Sequence, residues 1–411
     1  MKSVLFVSIA FPPKFDSEGL QVAKYVTYLK PACLGRFHLD VVTSRMPTLN
    51  MPFDPALQAA AGGFRQVVAL PLFENRYTNY LLRRLWPGLA WSPDPKFAFH
   101  WQWRRVVKQL GYPPDLIYSR SFPASSAIMA MKLKKFYGVP WIMHLSDPWA
   151  DSPHIDYSGR ARQFNQVLER RCFETADAVC LTSRRTMEYF AAKYPDLRKR
   201  LEFYPNVYDP IDIPDRTPVT PPTNRKIRLV HTGGLAGSRT PEPFLRAVAD
   251  LPDKAKARLD IVLAGHVDRA NREVLRKWAS DCVTYLGPLE SYKDALALQQ
   301  TADVLVQIDF PVDNPDLRVY FLSKLLDYQI TGKPILAITD IGSECEAFIR
   351  SERGNAIDRH NVTGIRDYLL DLVERRVVED QDYFALRPLR TEYDARFNAH
   401  RLVGLFQEFC S

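Results

Sequence analysis

Residues 205–225 read PNVYDPIDIPDRTPVTPPTNR. The six prolines of this stretch preclude a regular element, because each fixes its own φ and removes a backbone donor. On either side the chain alternates short β-branched runs with longer helical stretches. The stretch therefore reads as a linker between two α/β domains.

Upstream of it, strands are expected at 3–10, 37–43, 66–70, 115–119, 139–145, 178–182 and 201–204. Helical stretches lie between most of them. The first helix has a readable start: Ser17 as N-cap, Glu18 in the first turn, then Leu20, Ala23, Val26 and Leu29 at near-helical spacing. Downstream, strands are expected at 227–232, 259–264, 283–286, 303–308, 334–338 and 355–357. Helices are expected at 241–250, 269–279, 291–301, 320–331, 344–351 and 362–375. A closing helix at 391–409 carries Phe397, Leu402, Leu405, Phe406 and Phe409. Strands separated by helices make βαβ units and a parallel sheet. The expected fold is α/β: two Rossmann-like, doubly wound domains facing a central cleft at the carboxyl ends of both sheets. The N-terminal domain spans 1–205, the linker 206–226 and the second domain 227–390. The helix at 391–411 is expected to pack back toward the N-terminal domain.

Composition narrows the class. The 411 residues are 46% hydrophobic and 25% charged, which excludes disordered and fibrous chains. The longest apolar runs, 3–13 and 138–145, fall short of the ~20 residues that span a bilayer. The apolar N-terminus runs into Phe11-Pro12-Pro13 with no small-residue cleavage site, so it reads as a buried strand rather than a signal sequence. The expectation is a cytoplasmic protein. Six cysteines (33, 172, 180, 282, 345 and 410) form no Cys-x-x-Cys pair and read as inert thiols.

The net charge of +8 is unevenly spread. Residues 76–108 hold seven basic residues against one acid, Asp94, and four of the seven tryptophans: Trp86, Trp91, Trp101 and Trp103. Basic residues interleaved with aromatic ones suit an anionic membrane surface. They would also suit single-stranded nucleic acid, which is not the expected partner. The alternative is an ordinary subdomain with tryptophans in its core and solvated arginines.

Candidate sites are loops that follow strands. In Phe11–Gly19, Gly19 could let backbone amides approach a phosphate or sugar near a helix start. The loop is not a GxGxxG pattern, and a plain turn is the other reading. Val230–Pro241 opens the second half with Gly233, Gly234 and Gly237, then Arg239, then Thr240-Pro241 as N-cap and first turn. Free backbone plus an arginine that pairs bidentately suits a diphosphate. Ser323, Lys324 and Asp327 fall within about one helical turn and could hold a phosphate and a ribose hydroxyl, or form a solvated salt-bridge face. Gly287, closing a strand, is a weaker candidate for approach to a base. His144 and Asp147, at another strand end, are candidates for hydroxyl recognition, with a hydrogen-bonded core histidine as the competing reading. There is no Gly-x-Ser-x-Gly and no His-Glu-x-x-His. The Asp-x-Asp at Asp380 and Asp382 is not at a strand end, so no metal-bridged diphosphate and no metal cofactor are expected.

Taken together, these residues resemble the retaining GT-B glycosyltransferases of family four. The opening resembles their strand-Pro-Pro-Gly entry, and Ser146-Asp147-Pro148-Trp149 their Arg-Asp-Pro-Trp segment. Glu174-Thr-Ala-Asp-Ala-Val resembles their Ala-Asp strand entry, and Tyr204-Pro205-Asn206-Val207 the Pro-Asn-Gly closing their first domain. His231–Gly234 resembles the start of the donor loop. Ser323-Lys-Leu-Leu-Asp-Tyr with Gly332-Lys333-Pro334-Ile335 resembles their Ser-Lys-Leu-x-Glu-Tyr…Gly-Lys-Pro-Ile block. The likeness runs from residue 2 to about 375. One departure concerns two glutamates seven residues apart in the family. The second aligns with Asp327 and the first falls on Val319, whose side chain cannot accept a hydrogen bond; Asp313 or Asp316, in the preceding loop, are the candidates to substitute.

The resemblance implies transfer of a sugar from a nucleotide-diphosphate sugar to a hydroxyl acceptor with retention of configuration. Donor binding would fall to Gly233, Gly234, Gly287, Ser323 and Asp327, with Arg239 and Lys324 countering the charge of the leaving diphosphate without metal. Gly19, His144 and Asp147 would serve a glycan or lipid-linked glycan acceptor. Surface-polysaccharide assembly on the inner face of the cytoplasmic membrane would follow. The runner-up, supported by Val319, is a nucleotide-sugar-binding or scaffolding protein that has lost transfer; a nucleotide-sugar epimerase or an inverting enzyme is a weaker third reading.

Overall fold

The computed structural model describes residues 1–49, 51–72, 74–85, 93–153, 159–216, 225–376 and 381–410. The chain divides into two compact units. The first comprises Met1–Pro210, Val319–Phe321 and Thr391–Ser411; the second comprises Ile211–Arg318 and Leu322–Arg390.

The first unit is built on seven parallel strands: β1 (Lys2–Val7), β2 (Phe37–Ser44), β3 (Gln66–Leu70), β4 (Leu116–Ser121), β5 (Trp141–Leu145), β6 (Ala178–Leu181) and β7 (Leu201–Phe203). Their order is 3-2-1-4-5-6-7. The chain winds outward from β1 in both directions, so the topological switch lies between β1 and β4. Period-two alternation sorts the side chains. Leu5 and Val7 face one hydrophobic layer with Ile117 and Met143, whereas Val4 and Phe6 face another with Tyr118 and Ile142. A parallel sheet covered on both faces needs such continuously apolar strands.

Helices of eight or more residues are numbered in chain order. In the first unit they are α1 (Ser17–Cys33), α2 (Arg76–Leu85), α3 (Trp103–Leu110), α4 (Ser125–Tyr137), α5 (Arg160–Thr175) and α6 (Arg184–Lys193). The cap of α1 is Asp16, not Ser17: its carboxylate Oδ1 accepts the Gly19 amide at 2.7 Å. Both side chains can cap, but Ser17 already lies in the first turn. The start of the Pro-rich stretch is pinned to α1. Gln21 Nε2 donates to the Val207 carbonyl, its Oε1 accepts the Val207 amide, and Tyr25 Oη donates to the Pro205 carbonyl.

The second unit holds six parallel strands, β8 (Ile227–Thr232), β9 (Leu259–Ala264), β10 (Val283–Gly287), β11 (Val304–Ile308), β12 (Ile335–Thr339) and β13 (Asn355–Asp358), in the order 10-9-8-11-12-13. Its switch point lies between β8 and β11. The helices are α7 (Glu242–Ala249), α8 (Arg269–Lys277), α9 (Tyr292–Gln300), α10 (Lys324–Thr331), α11 (Glu344–Ser351) and α12 (Val362–Asp371). Thr240 Oγ1 accepts the Glu242 amide at the start of α7. The expected helices at 320–331 and 362–375 are shorter: α10 starts at Lys324, and α12 passes at Leu372 into a turn of π geometry.

The last helix, α13 (Ala395–Cys410), belongs to the first unit. It packs Ala399, Leu402, Val403 and Phe406 into the layer that α1 covers with Val22, Val26 and Leu29, while Phe397 stays half-exposed. All six cysteines are buried and free. No described helix is long and apolar enough to cross a membrane.

Candidate active site

The second unit gathers its charged groups at the switch point. The loop after β8 runs over the carboxyl ends of the strands. Gly233 takes φ +133°, and its amide donates to the Ala264 carbonyl at 2.7 Å. A Cβ there would collide with Lys324 Nζ, so the amine sits directly over the glycine. Gly265, at φ +136°, ends β9, and a Cβ on it would collide with the Gly233 carbonyl oxygen. Two glycines are therefore required for two backbones and an amine to meet. Sequence reading missed Gly265, although a glycine just past a predicted strand end was the available signal.

Lys324, on the first turn of α10, carries an ammonium sealed from solvent without a hydrogen-bond partner. Burial, and then the neighbouring Arg239 charge, depress its pKa to about 7, while Asp309 and Asp327 pull the other way. Arg239 lies in the loop before α7. Its Nη1 reaches the Gly234 carbonyl only weakly, at 3.5 Å, and its Nε is buried without a partner. Burial lowers its pKa too, with Asp309 opposing. Asp309 follows β11. Its Oδ2 accepts the Thr339 hydroxyl at 2.9 Å and its Oδ1 the Phe310 amide at 2.8 Å, so it is already engaged. Two basic side chains with unpartnered nitrogens thus lie beside Gly233, an arrangement suited to an anion.

The remaining donor candidates divide. Ser323 precedes α10, half-buried, with no capping bond from its side chain. Asp327 is on α10, buried, and accepts the Tyr292 hydroxyl at 2.8 Å. A ribose hydroxyl there would have to share or replace that bond. Gly234 is half-buried in the loop itself. Gly287 closes β10 at φ +85° with open space around its Cα, and its carbonyl accepts the Gly265 amide. The turn geometry accounts for that glycine by itself. Val319 is buried and counts with the first unit.

The first unit has a different constellation at its strand ends. Arg120, fully buried at the end of β4, donates from Nε to Glu18 Oε1 at 2.7 Å and from Nη2 to Asn206 Oδ1 at 3.1 Å. Ser146 Oγ donates to Glu18 Oε2 at 2.5 Å. Arg120 Nη1 is buried without a partner. Asp147, next to Ser146, is partly exposed, and lost solvation and Glu18 push its pKa up to about 7. It is the acid of this group with no hydrogen bond to another described residue, and so the one open to a hydroxyl.

His144 and Gly19 do not join it. His144 is fully buried; its Nδ1 lies 2.7 Å from the Tyr118 hydroxyl and its Nε2 3.1 Å from the Tyr204 carbonyl. A carbonyl can only accept, so Nε2 carries the proton and Nδ1 accepts from Tyr118. Burial, then Arg120, hold its pKa well below the usual histidine range. No nitrogen is left for an acceptor, so the direct role expected of His144 gives way to a place in the core. The Gly19 amide is spent on the Asp16 cap, and a Cβ there would collide with the Lys14 carbonyl and Asp16. Gly19 serves the helix turn rather than a ligand. The network of Glu18, Arg120 and Ser146 was missed in sequence; Glu18 lies over a hundred residues from each of its two partners.

The basic aromatic stretch is partly described. Trp86 and Trp91 lie outside the described residues. Trp101 is 58% exposed, whereas Trp103 is partly buried against the core. Lys96 leaves the basic surface, paired at 2.7 Å with Glu74. On α2, Tyr77, Tyr80, Leu81, Arg84 and Leu85 are all exposed. Their spacing places them on one helical face.

Comparison with known proteins fits this geometry. Residues 22–206 match the family model described as glycosyl transferase 4-like domain. No curated protein matches the sequence closely enough to count as a relative. Among solved structures, sucrose-phosphate synthase from Thermosynechococcus elongatus is similar at 17% identity, TM-score 0.65, with 99% of each chain covered. Anabaena HepE, solved in complex with UDP and glucose, is similar at 13% identity, TM-score 0.64, over 99% of this chain and 100% of that one. The lipopolysaccharide outer core galactosyltransferase WaaB, in its apo form, is similar at 13% identity, TM-score 0.63, over 99% of each chain. The chain is thus a GT-B-fold protein. More narrowly, residues 22–206, within its first unit, are similar to the glycosyl transferase 4-like domain.

Proposed function

We propose that the protein is a glycosyltransferase that moves a sugar from a nucleotide-diphosphate sugar, held by the second unit, to a hydroxyl acceptor met by the first. The observation that carries this reading is the pair of Arg239 and Lys324, whose buried nitrogens lack partners beside Gly233, where only a glycine leaves room for the lysine amine. Burying uncompensated cations is costly, and a diphosphate would relieve that cost. It would also gain charge as it leaves, where preorganised cations act most strongly. The reading includes retention of configuration and no need of metal, because the two cations could take the part a divalent ion plays at a diphosphate.

Asp147 would bind the acceptor hydroxyl. The acceptor would be a glycan or lipid-linked glycan of the kind a surface-polysaccharide pathway supplies, since WaaB is named for lipopolysaccharide and shares the fold. The exposed face of α2, with Arg104, Arg105 and Trp101 nearby in sequence, would rest on an anionic membrane surface on its inner side.

The test is a thermal-shift screen of nucleoside diphosphates and their sugars, followed by turnover with the stabilising donor. Stabilisation by none of them sinks the site. Stabilisation without transfer or hydrolysis favours the second reading, a binding protein that has lost transfer, for which Val319 in place of a glutamate speaks.

A further inference from the structure

A second cluster of arginines lies away from the donor loop. Arg353, Arg376 and Arg387, with Tyr383, line a cavity of about 280 Å³ in the second unit, and Asp382 is the one acid among its described lining residues. Arg353 sits in the turn between α11 and β13. The Arg387 amide donates to the carbonyl of Gly332, which caps α10 ahead of β12. Both anchor points are at the amino ends of strands. Gly233 follows the carboxyl end of β8. In a parallel sheet these are opposite edges, so the cavity is not an extension of the donor loop.

The guanidinium groups are unequally engaged. Arg376 is paired with Asp371. Arg387 is only 7% exposed; its Nη1 donates to the Tyr383 and Ala385 carbonyls, while Nε and Nη2 have no partner among the described residues. Arg353 forms no ion pair with a described residue and is the one described non-glycine residue at positive φ, +54°. The nearby Glu352 is taken by Arg390 at 3.4 Å. A guanidinium cannot shed its proton to relieve repulsion, unlike a buried lysine. Positive charge therefore collects in a concavity that offers unused N–H donors.

We infer that this cavity is an anion site for a phosphate ester, separate from the donor loop. Arginine forks match the paired oxygens of a phosphate, and the volume leaves room for a small organic group beyond it. The phosphate could come from a soluble ester or from a lipid headgroup.

The full chain can be titrated calorimetrically with glycerol phosphate, as wild type, Lys324→Ala and Arg353→Gly. Glycine is at ease at φ +54°, so Arg353→Gly removes the guanidinium while relieving the backbone, and its melting temperature should not fall. We expect glycerol phosphate to bind Lys324→Ala as it binds wild type, and Arg353→Gly about tenfold more weakly. Sedimentation with phosphatidylglycerol and phosphatidylcholine vesicles separates the sources. Loss of phosphatidylglycerol binding in Arg353→Gly assigns a headgroup, and a loss confined to glycerol phosphate assigns a soluble ester. Arg353→Gly that matches wild type in both assays overturns the inference, as does binding that disappears wholly in Lys324→Ala. None of these results depends on sugar transfer.

Discussion

Lys324 should take up a proton when a nucleoside diphosphate binds. In the unliganded protein its amine titrates near 7, because burial and Arg239 both oppose the charge. A diphosphate oxygen would supply the missing partner and return the amine toward its ordinary 10.5. At pH 8 the free amine is about 10% protonated, so binding should draw in about 0.9 proton; at pH 6 it should draw in about 0.1. Affinity should accordingly fall about tenfold for each pH unit above 8. The ligand's own phosphates add little there, since their last pKa is about 6. The assay is calorimetry in two amine buffers of different ionisation enthalpy, where the difference in apparent enthalpy counts protons. The same amine has a stability signature. Its folded pKa lies below the unfolded one, so between about 7 and 10.5 the unfolded chain binds more protons and stability rises with pH. At 1.36 kcal/mol per pH unit the full penalty is at most about 4–5 kcal/mol, present below pH 7. Lys324→Met should remove it, flattening the pH dependence of melting in the second unit while abolishing proton uptake. Uptake below about 0.2 proton at pH 8, or equal uptake in Lys324→Met, would refute an anion partner for this amine.

Other outcomes follow from the same geometry. Arg239→Ala should weaken diphosphate binding by roughly 1.5–3 kcal/mol, the worth of a charge-assisted contact, and an unchanged titration would remove Arg239 from the site. Gly265→Ala should lower the melting temperature far more than Gly237→Ala, because the first Cβ meets the Gly233 carbonyl and the second meets nothing within 4 Å; equal shifts would contradict the described loop. Asp147→Asn should lower kcat and erase a rising limb of the pH profile near 7, whereas an unaltered profile would leave Asp147 without a role at the acceptor. Turnover should survive EDTA, and an absolute need for magnesium or manganese would sink the metal-free reading. Binding to anionic vesicles at low salt should fall when Arg84, Arg104 and Arg105 become serine, each worth about 1 kcal/mol near such a surface; binding indifferent to these changes would discard α2 and its neighbours as a membrane face.

The β-strands could be read from sequence because their causes are local. Parallel strands buried on both faces must be apolar throughout, and in the Pro-rich stretch the described residues form one short helical turn, Pro210–Asp212. The loop after β8 was legible for a related reason, since Gly233 and Gly234 follow a strand end, whereas Gly265, just past β9, was passed over. What stayed hidden depends on which face a residue turns to. His144 stands at a strand end like a ligand residue, yet lies between Tyr118 and Tyr204. Ser17 and Asp16 are equally good caps on paper, and one residue of register decides between them. Glu18 and Arg120 are 102 positions apart, and no local pattern announces their ion pair. Lys96 looked like part of a basic surface until its partner Glu74, just outside the counted stretch, was placed beside it.

The two switch points differ in how their charge is balanced, and this difference bears on the proposed ligands. In the first unit the buried cation is answered within the protein: Arg120 has Glu18, and Glu18 also takes Ser146. The open group left over is a carboxylate, Asp147, with a raised pKa. Such a site can accept a hydrogen bond from a hydroxyl but would repel a diphosphate. In the second unit the balance is reversed. Asp309 is committed to Thr339 and Phe310, and the nitrogens of Lys324 and Arg239 are left over. A neutral hydroxyl would satisfy one donor without adding negative charge, whereas a diphosphate offers charge and oxygens to both. This charge balance is what supports the proposal that the donor is held by the six-stranded unit and the acceptor by the seven-stranded one, and it does not depend on the sugar being moved.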